Sequence, residues 1–207
     1  MLEAMVAASS SEASQATVPG EVRILLHNVT WESYVTVREA LEGRALRMAY
    51  CDGLLELMSP SRPHEEWSKL IGRLVELWAL ERDVPLYGYR STTFKHEQRK
   101  RGVEADECYC VGEALQEWPH IVIEVVHTHP FTIDRRKLYV GLGAPEIWIF
   151  EKGVFRIEVH DGTAYRRVDR SKLLPELDFT KLAPFAVRTD QHDALKEWRA
   201  LVRAELK

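Results

Sequence analysis

A chain of 207 residues, 45% hydrophobic and 29% charged, can bury a full core and has the composition of an ordinary globular domain. Its formal net charge of −4 gives no overall basic field, so any attraction to a polyanion must come from a local patch. Three cysteines do not make a secreted disulfide framework, no apolar run reaches membrane-span length, and no basic n-region precedes an apolar core. The expectation is therefore a cytoplasmic protein with no membrane partner.

Residues 1–20, rich in Ala and Ser, read as a disordered leader, and 21–207 as a single domain. Thr30 is placed to N-cap a helix that runs through Val37 and Leu41 and stops near Gly43. Leu46–Tyr50 and Leu54–Met58 flank Asp52–Gly53, a pair suited to the positive φ angles of a type I′ hairpin turn. After the breaker cluster Ser59–Pro63, Trp67, Leu70, Ile71, Leu74, Val75 and Trp78 recur at three- and four-residue spacing. That spacing predicts a long amphipathic helix from about His64 to Arg82. His64 and Glu65 stand in its first turn, where a lone histidine is more often a capping or solvent residue than a site group.

Pro85–Phe94 reads as one strand, followed by the basic loop Lys95–Arg101. Lys95, Arg99, Lys100 and Arg101 read as a solvated hairpin loop or as an arm contacting nucleic-acid phosphates. Val103–Val111 and Ile121–Val126 read as strands, each with an acid where a buried strand prefers an apolar residue: Asp106 in the first, Glu124 in the second. Cys108 and Cys110 are expected as small apolar fillers on opposite faces of the sheet. An unpaired carboxylate is costly to bury, so Asp106 and Glu124 need cations, hydrogen-bond donors or raised pKa values. Side by side they would form an all-oxygen site for Mg²⁺ or Mn²⁺. The competing reading leaves Asp106 facing solvent, pairs Glu124 with Arg135 or Lys137, and makes Arg135–Lys137 a solvated helix face; periodicity does not separate the two.

His127 and His129 follow as loop residues, with a transition-metal role the weaker alternative. Thr132–Tyr139 starts a short helix ending at Gly141/Gly143, then come a Trp-containing strand, Glu146–Phe150, and edge hairpins over Val154–Val168. Asp193–Lys207 closes the chain as an amphipathic helix.

Several of these stretches together carry a resemblance. Gly53…Glu56…Met58–Ser59–Pro60…His64, Glu104–Ala105–Asp106–Glu107–Cys108–Tyr109, Ile123–Glu124–Val125–Val126, Ile133–Asp134…Tyr139…Gly143–Ala144–Pro145–Glu146–Ile147–Trp148 and Leu173–Asp178 resemble, in order and spacing, the Uma-two family of restriction-endonuclease-like proteins. The resemblance covers roughly residues 30–200. It implies an α/β (α+β) fold of the PD-(D/E)XK nuclease type, with a mixed β-sheet core flanked by α-helices and edge β-hairpins. It implies Asp106 and Glu124 as the metal-binding pair, with His64 and Glu65 contributed by the preceding helix. Mg²⁺ or Mn²⁺ is the implied cofactor and DNA the implied partner, cut by hydrolysis of its phosphodiester bonds. Two departures stand out: Ala105 replaces a proline, and Val126 stands where a lysine is expected two residues after Glu124. The family's substitute lysine aligns best with Arg135, with Lys137 two residues on. Because arginine cannot be deprotonated, it stabilises phosphate charge but does not serve as a base. A nuclease-fold module that binds nucleic acid or protein without cutting is therefore the alternative. A homodimer is one way to reach both strands of a duplex, but the residues themselves are silent on it.

Overall fold

The structure, a computed structural model, describes residues 20–90, 92–114 and 117–206. The expected leader lies outside the described residues, apart from Gly20. Among the described residues the chain forms two β-sheets and five helices, a mixed α+β fold. The strands are β1 (Val22–Leu26), β2 (Arg47–Cys51), β3 (Leu54–Ser59), β4 (Leu86–Gly88), β5 (Thr93–His96), β6 (Arg101–Glu104), β7 (Glu107–Val111), β8 (Ile121–Val126), β9 (Glu146–Glu151), β10 (Val154–His160) and β11 (Tyr165–Val168). The helices are α1 (Trp31–Ala40), α2 (Arg62–Glu81), α3 (Arg135–Leu142), α4 (Phe179–Ala186) and α5 (Gln191–Ala204).

Local chemistry sets many of the boundaries. Thr30 caps α1 by accepting from the Ser33 amide, and Ser61 caps α2 by accepting from the His64 amide, with Pro63 in the first turn where its missing N–H costs nothing. Asp52 and Gly53 take φ values of 48° and 86°, so β2 and β3 meet in the expected two-residue hairpin with Cys51 opposite Leu54. Asp134 caps α3, and Gly143, at φ 80°, ends it in the left-handed region.

The smaller sheet runs β1-β3-β2-β6-β5, all antiparallel, and the larger runs β11-β10-β9-β8-β7-β4. In the larger sheet only β8 and β9 are parallel, because α3 carries the chain over from one to the other. Along β8 the side chains alternate. Ile121, Ile123 and Val125 enter the core beneath α2, α4 and α5, while Val122 and Val126 enter a second core shared with α3 and the smaller sheet. Glu124 has the parity of Val122 and Val126, so its carboxylate faces α3.

Two expectations are corrected. The predicted strand Pro85–Phe94 is two strands in different sheets: β4 pairs with β7 and β5 with β6, and Arg90, at φ 51°, lies in the turn between them. Cys108 and Cys110 do not face opposite ways, because residues two apart on a strand share a face. Cys108 and Trp118, whose carbonyl lies 4.0 Å from Cys110 Sγ, belong to the α3-side core, while Tyr109 between the cysteines enters the other. The elements β1 and α4 were not foreseen. The first is a short edge strand, and the second carries Pro184 inside it.

Candidate functional site

The chain passes from β6 of one sheet to β7 of the other through Ala105 and Asp106, so Asp106 stands at the junction of the two sheets. Glu107 pairs with Ile123 across β7 and β8, and continuing that register by one residue sets Asp106 against Glu124. Both acids are buried, at 6% and 2% exposure, so what satisfies them decides what the site can do.

Asp106 Oδ2 accepts from the Val125 amide at 2.8 Å and lies 3.3 Å from His64 Nε2, while Arg47 Nε stands 3.8 Å from Oδ1. The same His64 nitrogen is 3.2 Å from the Val125 carbonyl, so its proton is shared between the two oxygens. Burial alone would lower the pKa of His64, but Asp106 overrides it and raises the ring to about 10, which makes it a cation at neutral pH. Burial likewise opposes ionisation of Asp106, yet His64, Arg47 and the Val125 amide hold it below its ordinary value.

Glu124 has fewer compensations. Tyr139 donates to Oε1 at 2.5 Å, and Arg135 Nε lies 3.2 Å from the same oxygen. Burial raises its pKa; Arg135 works against that and Asp106 with it, leaving the carboxyl at about 7. Arg135, itself buried, donates through Nη2 to Glu56 Oε1 at 2.8 Å and lies over the Phe131 ring at 4.3 Å. Its Nε and Nη1 have no acceptor in hydrogen-bonding geometry, the 3.2 Å approach to Glu124 being an ion pair without that alignment. Glu56 also accepts from Arg23 at 3.0 Å and from the Thr132 amide at 2.7 Å. Burial would raise its pKa, but Arg135 and Thr132 lower it.

The structure thus gathers Asp106, Glu124, Arg135, His64 and, on the solvent side, Glu65, which accepts from Arg47 at 3.2 Å and lies 3.7 Å from His64 Nδ1. Lys137 is exposed and turned away on α3, toward the Cys51–Asp52 turn. The basic loop lies beside the C-terminal half of the same helix: Arg99 donates to the Gly141 carbonyl at 3.0 Å, and Arg101 grips Asp52, with Nη2 2.7 Å from Oδ2. Two of the four expected phosphate contacts are therefore engaged in packing, and Lys95 and Lys100 are exposed. His127 packs its ring edge-on against Trp67, and His129 Nδ1 pairs with its neighbour Thr128. Among the described residues, no group of three or more His, Cys, Asp or Glu side chains is placed to hold a metal ion.

The chain matches the family model Uma2, described as putative restriction endonuclease, over residues 31–188. It belongs to the Uma2 family. No curated protein gives a match. Membership in Uma2 points to a nuclease-like function and to DNA as the substrate class. Among the described residues no helix is long and apolar enough to cross a membrane. The Uma2 match contains every residue of the buried cluster except Arg23, which precedes it on β1.

Sequence reasoning left Glu56, Thr132, Tyr139, Arg23 and Arg47 without roles. Glu56 had a usable signal: it is an acid inside the otherwise apolar strand Leu54–Met58, the same anomaly that singled out Glu124. Arg23 and Arg47 had none, because only the sheet order β1-β3-β2 brings them to the cluster.

Proposed function

We propose that this chain is a divalent-metal-dependent endonuclease that hydrolyses DNA phosphodiester bonds at the Asp106–Glu124 pair. One observation carries the reading: the two buried carboxylates lie side by side where the two sheets meet, with Glu124 Oε2 unpaired and Asp106 Oδ1 approached only by Arg47, at 3.8 Å, among the described residues. Among the described residues no hydrogen-bond donor is assigned to Asp106 Oδ1 or Glu124 Oε2. Such a pair fits a Mg²⁺ or Mn²⁺ ion that keeps most of its waters and takes only one or two carboxylates, and it does not call for a third protein ligand. When bound, the ion would lower the pKa of a coordinated water and neutralise charge on the phosphate.

The chain's own groups do the positioning. Protonated His64 and the Val125 amide fix Asp106, and Tyr139 fixes Glu124. Arg135 presents Nε–H and Nη1–H without acceptors, which suits a non-bridging phosphate oxygen as its charge grows. Arg135 neither gives nor takes a proton, so it acts as a fixed charge.

The test is cleavage of supercoiled and linear duplex DNA with Mg²⁺ or Mn²⁺, and with EDTA, by the wild type, Asp106→Ala and Glu124→Ala. Cleavage that needs the metal and is lost in both variants is expected. Equal activity in all three proteins removes the pair from the mechanism. A second reading, binding without cleavage, rests on Arg135 itself, which already bridges Glu56 and Glu124 where a lysine is expected. A wild type that binds DNA without cutting, alongside an Arg135→Lys variant that cuts, would establish it.

A further inference from the structure

Beside the carboxylate pair lies a cavity of about 370 Å³, lined by Val126, Phe131, Ile149 and three arginines, Arg135, Arg136 and Arg156. Its position follows from strand register. Glu124 pairs across to Ile149, and Ile149 pairs across to Arg156, so the three share one face of the sheet in a straight row. Two strand spacings separate the ends of that row, roughly 10 Å between backbones. Arg156 is therefore beside the carboxylates, one long side chain away.

What organises the rim is Glu158, a carboxylate with 0% exposure on the same face of β10. Its Oε2 takes Arg136 Nε at 2.5 Å, and its Oε1 takes Arg136 Nη2 at 2.7 Å and stands 2.9 Å from Arg156 Nε. One buried acid thus holds Arg136 edge-on through two hydrogen bonds and Arg156 through an ion pair without hydrogen-bonding alignment, and the two side chains stay 51% and 39% exposed. Both guanidiniums line the cavity, as does Arg135, which is 7% exposed and has an unpartnered Nη1. A guanidinium held in this way loses little further freedom on meeting a phosphate. Asp134 and Glu151 also line the cavity. Asp134 caps α3 but keeps its charge, so it and Glu151 both oppose an anion, against the three arginines.

We propose that Arg136 and Arg156, positioned by Glu158, hold the DNA phosphate next to the one at the Asp106–Glu124 pair, so that this rim, and not the Lys95–Arg101 loop, carries the backbone contact. The proposal rests on the nuclease reading for its choice of DNA. The loop is the weaker candidate because Arg101 is neutralised by Asp52 and Arg99 is tied to the Gly141 carbonyl on α3, at the end of the helix away from Arg135.

The experiment is binding of a fluorescein-labelled duplex, read by anisotropy across a salt series in EDTA, so that cleavage plays no part. The rim variant is Arg136→Gln/Glu158→Gln/Arg156→Gln, which removes the buried acid along with its partners. The loop variant is Lys95→Gln/Lys100→Gln. Each phosphate contact adds about 0.9 to the slope of log affinity against log salt. The rim variant is expected to lose about 0.9 from that slope, for the one phosphate the two arginines share, and the loop variant none, while Glu151→Gln binds more tightly than wild type. If the triple variant does not fold, Arg156→Gln alone, with Glu158 still paired to Arg136, should show part of that loss and weaken binding at every salt concentration. An unchanged slope in a folded rim variant, or a loss confined to the loop variant, overturns the proposal. A wild type that binds duplex but does not cut with Mn²⁺ sinks the hydrolase reading and leaves the clamp standing. One that cuts while folded rim variants keep its slope sinks the clamp alone.

Discussion

Replacing Arg135 by methionine tests the balance of charge at the site directly. The arginine is 7% exposed and touches two buried carboxylates, at 2.8 Å and 3.2 Å. Removing one partner from a buried ion pair costs about 3–5 kcal/mol, because the other charge is left without compensation. Glu56 keeps Arg23 and Thr132, and Glu124 keeps Tyr139, so the lower end applies, about 3 kcal/mol. In a chain of this size that corresponds to a melting temperature lower by roughly 6–12 °C. Methionine fills much of the volume and contributes no charge, so the loss reports the ion pairs and not a cavity. The variant also leaves Glu124 and Asp106 with less positive charge between them, so Mn²⁺ should protect it more than it protects the wild type. At a hundred times its dissociation constant the ion returns about 2.7 kcal/mol. Urea unfolding followed by tryptophan fluorescence, with and without MnCl₂, measures both effects. A loss below 1 kcal/mol would show that Arg135 is not a structural counter-charge. Equal protection of the two proteins by Mn²⁺ would show that it does not compete for the carboxylates.

Other expectations follow from contacts away from the pair. Glu107 is buried against α2, and burial, with Glu76 adding, raises its pKa to about 7. Because that is above its unfolded value, the folded state holds the extra proton and stability falls as pH rises from about 4.5 to 7. Glu107→Gln should flatten this slope and raise stability above pH 7 by on the order of 2 kcal/mol; parallel melting profiles for wild type and variant would contradict it. At Gly102 an added Cβ would overlap Tyr34 Oη, and Tyr34 is pinned by stacking on Tyr50 at 4.8 Å. Gly102→Ala should therefore cost about 1–3 kcal/mol in urea unfolding, and a neutral result would show that the Tyr34 ring can move. Ser61→Ala, which removes the cap of the helix presenting His64, should cost about 1 kcal/mol by the same measurement.

What could be read from the sequence was what local chemistry decides. The Asp52–Gly53 hairpin, the α1 cap at Thr30 and the apolar face of α2 needed only residues near one another in the chain. Glu124 was legible for a different reason, since an acid in the run Ile121–Val126 has no comfortable place in a covered strand. Its partners were less so. That Glu124 meets both Arg135 and Tyr139 depends on α3 crossing between β8 and β9, which no periodicity states. Glu56 and Arg23 required the order of the smaller sheet, and the split of Pro85–Phe94 required knowing that one aromatic run serves two sheets. The short helix α4 was lost because Pro184 argues against a helix unless its surroundings compensate.

The junction at Ala105–Asp106 has a consequence for the order in which the molecule forms. Glu56 and Arg135 are 79 positions apart in the chain, and His64 and Val125 are 61 apart. Contacts of such span are closed only after the elements between them have taken shape, because their loop entropy is recovered last. Neither sheet holds the cluster alone. Glu56 belongs to the smaller, Glu124 to the larger, and Asp106 to the seam, so the carboxylates, His64 and Arg135 come together only when the two sheets dock. A full-length chain that has not docked its two sheets carries every one of these residues and still has no site.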